Sequence, residues 1–259
     1  MTILNLWKQR KRITVLSYMA LLTAFLSIAC QGSTAIPDDR TRNAADSTII
    51  DSTERAPLTV KEVAPKINLD SILHGHDSSW VDLTKILPKA KFDIRYASTN
   101  NFMGLQVYEC AGCFTRLEVA KALIKIQADL DTLGLVLKFF DCYRPSAAQW
   151  KLWNKMPDPR YVHPPTQGSM HSRGNALDLT LVVDSSSQEL EMGTPFDYFG
   201  KEAYWNYTAH PKQVNENRKL LRSIMYKYGF VTVATEWWHF AYNHKKFPLS
   251  NMQWTCEHH

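Results

Sequence analysis

The sequence predicts an α+β fold over residues 67–259: a small antiparallel sheet with helices packed on one side. Three observations predict it. Leu117, Ala120, Ile124 and Ala128 recur at helical spacing, short apolar runs such as Leu135–Phe140 and Ala176–Val183 read as strands, and glycines and prolines punctuate the chain between them.

Taken in order, the first long element is a helix between Arg116 and Leu133, with Gly134 just after it as a C-terminal stop. A buried strand over Leu135–Phe140 follows and leads to Arg144. Pro145 suits the first position of a helix, because its missing N–H has no partner there, so a short helix runs from it to about Lys155. Met156-Pro157-Asp158-Pro159 and His163-Pro164-Pro165 then break the chain into a loop. Ala176–Val183 is a strand in which Leu177 and Leu179 face the core and Asp178 faces the other way, since successive side chains alternate. The aromatic-rich segment Glu191–Lys212 is irregular and reads equally as a lid over a cleft or as a packed surface loop. A second helix spans Gln213–Tyr228 and is stopped by Gly229, and Phe230–Val233 with Trp238–Tyr242 complete the sheet.

The chain has 259 residues, 45% of them hydrophobic, and a formal net charge of +5. Four of its basic residues, Lys8, Arg10, Lys11 and Arg12, stand at the start, and without them 26 basic residues face 25 acidic ones. Such a balance leaves no basic footprint for nucleic acid. The basic cluster precedes an apolar run from Ile13 to Ala29 and then Cys30-Gln31-Gly32-Ser33, the layout of a secretory signal in residues 1–30. Leu26-Ser27-Ile28-Ala29-Cys30 resembles a bacterial lipoprotein signal with Cys30 as the lipidated residue, although the leucine stands one place further back than usual. Cleavage after Ser33-Thr34-Ala35 and an uncleaved anchor remain as alternatives. Residues 31–66, rich in Ser, Thr, Asp, Ala and Pro, read as a disordered tether. The expected location is therefore outside the cytoplasm, in the periplasm, with membrane attachment only through the N-terminal segment.

Two segments carry the chemistry. Ser169-Met170-His171-Ser172-Arg173-Gly174-Asn175-Ala176-Leu177-Asp178 and, far downstream, Glu236-Trp237-Trp238-His239 supply two imidazoles and two carboxylates. Catalytic zinc is held by three ligands from His and Asp or Glu at about 2 Å, with a further position left for water. His171, Asp178 and His239 fill those places for one zinc ion per chain, and Glu236 is the candidate proton carrier. Singly, each has an ordinary explanation: a hydrogen-bonded histidine, a strand-end charge, two core tryptophans. Asp178 inside an apolar strand is the hardest to dismiss, because an unpaired buried carboxylate costs several kcal/mol. The HExxH helix of many metalloproteases is absent.

These residues resemble the D-alanyl-D-alanine dipeptidases of the VanX type, within the zinc D,D-peptidases that include D,D-carboxypeptidases and share a fold with the hedgehog signalling domain. The resemblance extends to Arg95–Gly104, Asp141-Cys142-Tyr143-Arg144-Pro145, Met192–Asp197 and Asn217–Met225, about residues 80 to 245. It implies the same three zinc ligands and Glu236 as general base and acid. It further implies Arg144 as the guanidinium that steadies the developing oxyanion, where the ordinary reading is a surface arginine paired with Asp141. Asp197, Ser169 and Tyr96 resemble the set that contacts the substrate ammonium. A carboxylate in a small closed pocket favours a free amine and penalises an acylated one.

The expected reaction is hydrolysis of D-Ala-D-Ala to two D-alanines in cell-wall peptide turnover. The alternatives are a D,D-carboxypeptidase acting on longer muropeptides and a zinc-containing wall-binding module without chemistry. An exported chain permits disulfides, and a Cys113–Cys142 bridge is expected to tie the strand bearing Arg144 to the loop before the first long helix. The paired His258 and His259 are expected to do nothing.

Overall fold

The computed structural model describes residues 69–256. The signal segment 1–30 with Cys30, the tether 31–66, the first residues of the expected catalytic domain, and His258 with His259 lie outside the described residues.

The described chain begins with a short helix α1 (Leu69–Leu73), strand β1 (Trp80–Asp82), a single helical turn α2 (Leu83–Ile86) and strand β2 (Lys91–Phe92). Asp82 caps α2 by accepting a hydrogen bond from the Thr84 amide at 3.0 Å. There follow β3 (Phe114–Arg116), the long helix α3 (Leu117–Asp131), β4 (Leu135–Asp141), α4 (Ser146–Lys155), β5 (Ala176–Val183), α5 (Lys212–Lys227), β6 (Phe230–Thr232) and β7 (His239–Tyr242). Among the described residues no helix is long and apolar enough to cross a membrane.

Of the apolar spacing read in α3, Leu117 and Ala120 are buried, Ile124 is half-buried and Ala128 is exposed; the buried stripe runs instead through Leu117, Ala120, Leu123, Ile126 and Leu130. Each buried leucine or isoleucine of the stripe contributes roughly 1.5–3 kcal/mol. The helix packs on β4, α5 packs on β6, and α3 touches α5, so the two long helices share one side of the sheet. Gly134 follows α3 with φ of 68°, a left-handed conformation that lets the chain turn directly into β4.

The main sheet has five strands in the order β2-β4-β5-β7-β6. Four pair antiparallel as expected, but the edge strand β2 joins β4 in parallel, so the sheet is mixed, and β1 and β3 form a separate two-stranded ribbon. Neither is legible in the sequence, because β2 has only two residues and β1 and β3 three each, too few for a periodic signal.

Register places the chemistry. Asp141 on β4, Asp178 on β5 and His239 on β7 stand directly opposite one another across three adjacent strands. Paired residues share a face of the sheet. Asp141 reaches that position only because the ladder slips between Phe139, which pairs with Leu179, and Asp141, which pairs with Asp178. Without the slip, Phe140 would face Asp178. The bulge therefore re-aims a carboxylate toward the cleft, as bulges beside functional sites commonly do.

Candidate active site

His171 lies in a 3-10 turn over His171–Arg173 that ends at Gly174, where φ is 74°. A Cβ at Gly174 would come within 2.5 Å of the Trp80 ring, so glycine is required for space as well as for conformation. The turn brings His171 back over β5. Its Nε2 lies 3.1 Å from His239 Nδ1 and 3.4 Å from Asp178 Oδ1, and His239 Nδ1 lies 3.0 Å from the same oxygen. The opposite ring nitrogen of His171, Nδ1, donates to the Cys142 carbonyl at 2.8 Å, which leaves Nε2 as the free lone pair.

Two imidazole nitrogens and a carboxylate oxygen thus converge, at separations close to the roughly 3.3 Å that tetrahedral coordination at about 2 Å requires. Burial alone would raise the Asp178 carboxyl, but the His171 and His239 imidazoles beside it hold it well below the usual range, so it is anionic. Burial lowers His239, partly offset by Asp178, which favours the neutral ring that a metal needs. The donor set fits zinc.

Around this cluster lies a recess of about 150 Å³, small for a ligand site. Glu236 opens onto it with 8% of its surface exposed, and its Oε2 stands 3.9 Å from His239 Nδ1. Burial, with Asp178 and Asp197 nearby, pushes its carboxyl well above the ordinary value. A carboxyl so placed readily accepts a proton.

Arg144 follows β4 at the junction with α4 and also lines the recess. It does pair with Asp141, through Nε at 2.9 Å and Nη2 at 2.7 Å, yet it is buried rather than on the surface. Its Nη1 donates to Gln149 Oε1 at 3.0 Å, and Tyr108 holds the other Asp141 oxygen at 2.7 Å. Three of the five guanidinium N–H groups are thereby engaged, Nη2 also lies 3.6 Å from Asp178 Oδ2, and two N–H groups make no hydrogen bond among the described residues. Gln149 also donates to the His163 carbonyl at 2.7 Å, which fixes the direction of its amide. Sequence reasoning missed Gln149 and Tyr108, which stand in no recognisable motif. Asp141 had a usable signal, a carboxylate ending an apolar strand.

Asp197 sits on the far wall, in the Glu191–Lys212 segment. Its φ of 62° is left-handed, a conformation that costs a non-glycine residue about 1–2 kcal/mol. Both carboxylate oxygens accept from the Tyr96 hydroxyl at 3.2 Å, and the Phe102 amide approaches at 3.5 Å. Burial first, then the charge of Asp178, push its carboxyl up to about 7. Ser169 lines the same recess, but its Oγ accepts from the His171 amide at 3.1 Å, so it also props the turn. All eight expected residues, His171, Asp178, His239, Glu236, Arg144, Asp197, Ser169 and Tyr96, line one cavity.

The structure joins Cys113 to Cys142, whose carbonyl receives the His171 hydrogen bond. It also joins Cys110 to Cys256, a pair the sequence did not suggest, because 146 residues separate them.

A family model described as D-Ala-D-Ala dipeptidase matches residues 76–256. The chain belongs to that family. Members of this D-Ala-D-Ala dipeptidase family are zinc-dependent peptidases, in agreement with the donor set described above. The D-alanyl-D-alanine dipeptidase of Escherichia coli K12 is 38% identical over 177 residues, covering 68% of this chain and 91% of that protein. The enzyme of the same name from Enterococcus faecium is 30% identical over 207 residues, covering 70% and 93%. Among solved structures, a mutant of the vancomycin-resistance D,D-pentapeptidase VanY in complex with Zn(II) is similar at 16% identity and a TM-score of 0.35, covering 51% of this chain and 74% of that one.

Proposed function

We propose that this chain hydrolyses the free dipeptide D-Ala-D-Ala to two D-alanines, with His171, Asp178 and His239 holding one zinc ion. The observation that carries the reading is the small recess in which a metal-ligand triad, a buried carboxyl at Glu236, a fixed guanidinium at Arg144 and a buried carboxyl at Asp197 face one another. Zinc bound there supplies Lewis acidity, making water more acidic and favouring negative charge on a carbonyl oxygen.

The chain's own residues do the rest. Glu236 accepts a proton on its carboxylate and returns it to the departing amine, a task suited to a carboxyl whose burial has raised its proton affinity. Arg144 presents its two remaining N–H groups to the substrate oxygen that becomes negative, and it needs no reorganisation because Asp141 and Gln149 already hold it. Asp197, with the Tyr96 hydroxyl, receives the substrate ammonium. An acylated amine there would leave a desolvated carboxylate without a partner, which disfavours longer peptides.

Export through the 1–30 segment, with Cys30 as the lipid-bearing residue and the periplasm as destination, belongs to the same proposal. It is supported by the signal layout and by two disulfides, which persist in oxidising compartments. Zinc-loaded protein incubated with D-Ala-D-Ala should release D-alanine, and activity lost to a chelator should return with zinc. Absence of D-alanine from fully loaded protein would refute the activity.

A further inference from the structure

The stretch Asn217-Arg218 on α5 lines no part of the substrate recess, yet both side chains are buried. Arg218 has no carboxylate partner among the described residues. Its guanidinium donates to three main-chain carbonyls instead: Nε to Met192 at 2.7 Å, Nη1 to Tyr204 at 3.0 Å and Nη2 to Glu202 at 2.9 Å. Asn217 Nδ2 adds the Glu191 carbonyl at 2.9 Å and is itself oriented by Gln213 at 2.9 Å.

Those four carbonyls are the two ends of one loop. Glu191 and Met192 enter it, Glu202 and Tyr204 leave it, and Asp197 lies between them in its left-handed conformation. A strained apex persists only where the surroundings over-determine it. A planar fork can bridge carbonyls from both ends of a loop, whereas an ammonium is a single point donor. A buried cation without a counter-ion is expensive to keep. Burial lowers the Arg218 guanidinium to about 10, so it is still charged at neutral pH.

We propose that Arg218, seconded by Asn217, is the clasp that fixes the Asp197 loop and thereby sets the demand for a free substrate amino terminus. It is a positioning role, remote from the reacting atoms, and it rests on the reading of Asp197 as the ammonium acceptor.

The test compares zinc-loaded wild-type protein with Arg218→Lys and Asn217→Ser, on D-Ala-D-Ala and on its N-acetylated form, together with amide hydrogen exchange across residues 193–203. Arg218→Lys should raise KM for the free dipeptide about tenfold with a smaller change in kcat, shrink the free-over-blocked preference by a similar factor, and speed exchange in the loop. Asn217→Ser should move the same readouts in the same direction by less, and it carries the test if the lysine variant does not fold. A merely structural role would depress both substrates equally, and an unchanged preference ratio or unchanged loop exchange overturns the clasp. If wild-type protein cleaves neither substrate, the function proposed above fails, and the clasp is then decided by the exchange measurement alone.

Discussion

Replacing Asp197 with asparagine keeps the shape of the side chain and the contact with the Tyr96 hydroxyl but removes a charge that the fold holds at some cost. The carboxyl titrates at about 7 in the native protein against an ordinary value of 3.8. That difference amounts to about 4 kcal/mol of destabilisation when the group is ionised. Below pH 4 both the native and the unfolded chain carry the proton, and the group has no effect. Between pH 4 and 7 the unfolded chain ionises while the native one keeps its proton, so wild-type stability falls as pH rises, and above 7 the full loss is present. In metal-free protein, urea unfolding at pH 4, 6 and 8 should therefore show Asp197→Asn gaining on wild type from near zero to about 4 kcal/mol. The same variant, loaded with zinc, should lose about 10- to 100-fold in kcat/KM on D-Ala-D-Ala, the worth of a charge-assisted bond to an ammonium. A stability gain independent of pH, or wild-type kcat/KM, would refute the account of this residue.

Glu236→Gln should keep one zinc per chain by metal analysis while kcat falls about 10²- to 10⁴-fold, and a variant with near wild-type kcat would remove Glu236 from the proton transfers. Arg144→Lys cannot reproduce the fork held by Asp141 and Gln149, and kcat should drop about 10²- to 10³-fold in steady-state assays with little change in zinc affinity. The double variant Cys113→Ser with Cys142→Ser opens a crosslink spanning 29 residues, and denaturant unfolding should register a loss of about 3–4 kcal/mol. A loss below about 1 kcal/mol would show that this bridge does not constrain the unfolded chain.

The sequence was most legible where local physics decides the outcome. The apolar run Ala176–Val183 is a strand over those same residues, and the stripe from Leu117 with its glycine stop is a helix within two residues of the expected limits. His171, Asp178, Glu236 and His239 stood out because two short segments together concentrate ligand chemistry and Asp178 lies inside an apolar strand. Tertiary context was illegible. The parallel edge strand β2 is two residues long, Gln149 reaches Arg144 from within α4, and Cys110 meets Cys256 across a sequence separation of 146. Arg218 lies inside the Asn217–Met225 stretch, but its task depends on the carbonyls of residues 192, 202 and 204, which only the fold brings around it. The choice between lid and packed loop for Glu191–Lys212 was open for the same reason, and the structure shows a loop that is packed by Arg218 and at once walls the recess with Asp197 and Phe199.

If the recess selects a free dipeptide through Asp197, kcat/KM of the zinc-loaded protein on D-Ala-D-Ala beside its N-acetylated counterpart reads that selection without an intermediary. The free dipeptide should be preferred by at least about 100-fold, since the blocked one strands a buried carboxylate. Equal rates, or a preference for the blocked substrate, would contradict the account and point to a carboxypeptidase acting on longer peptides.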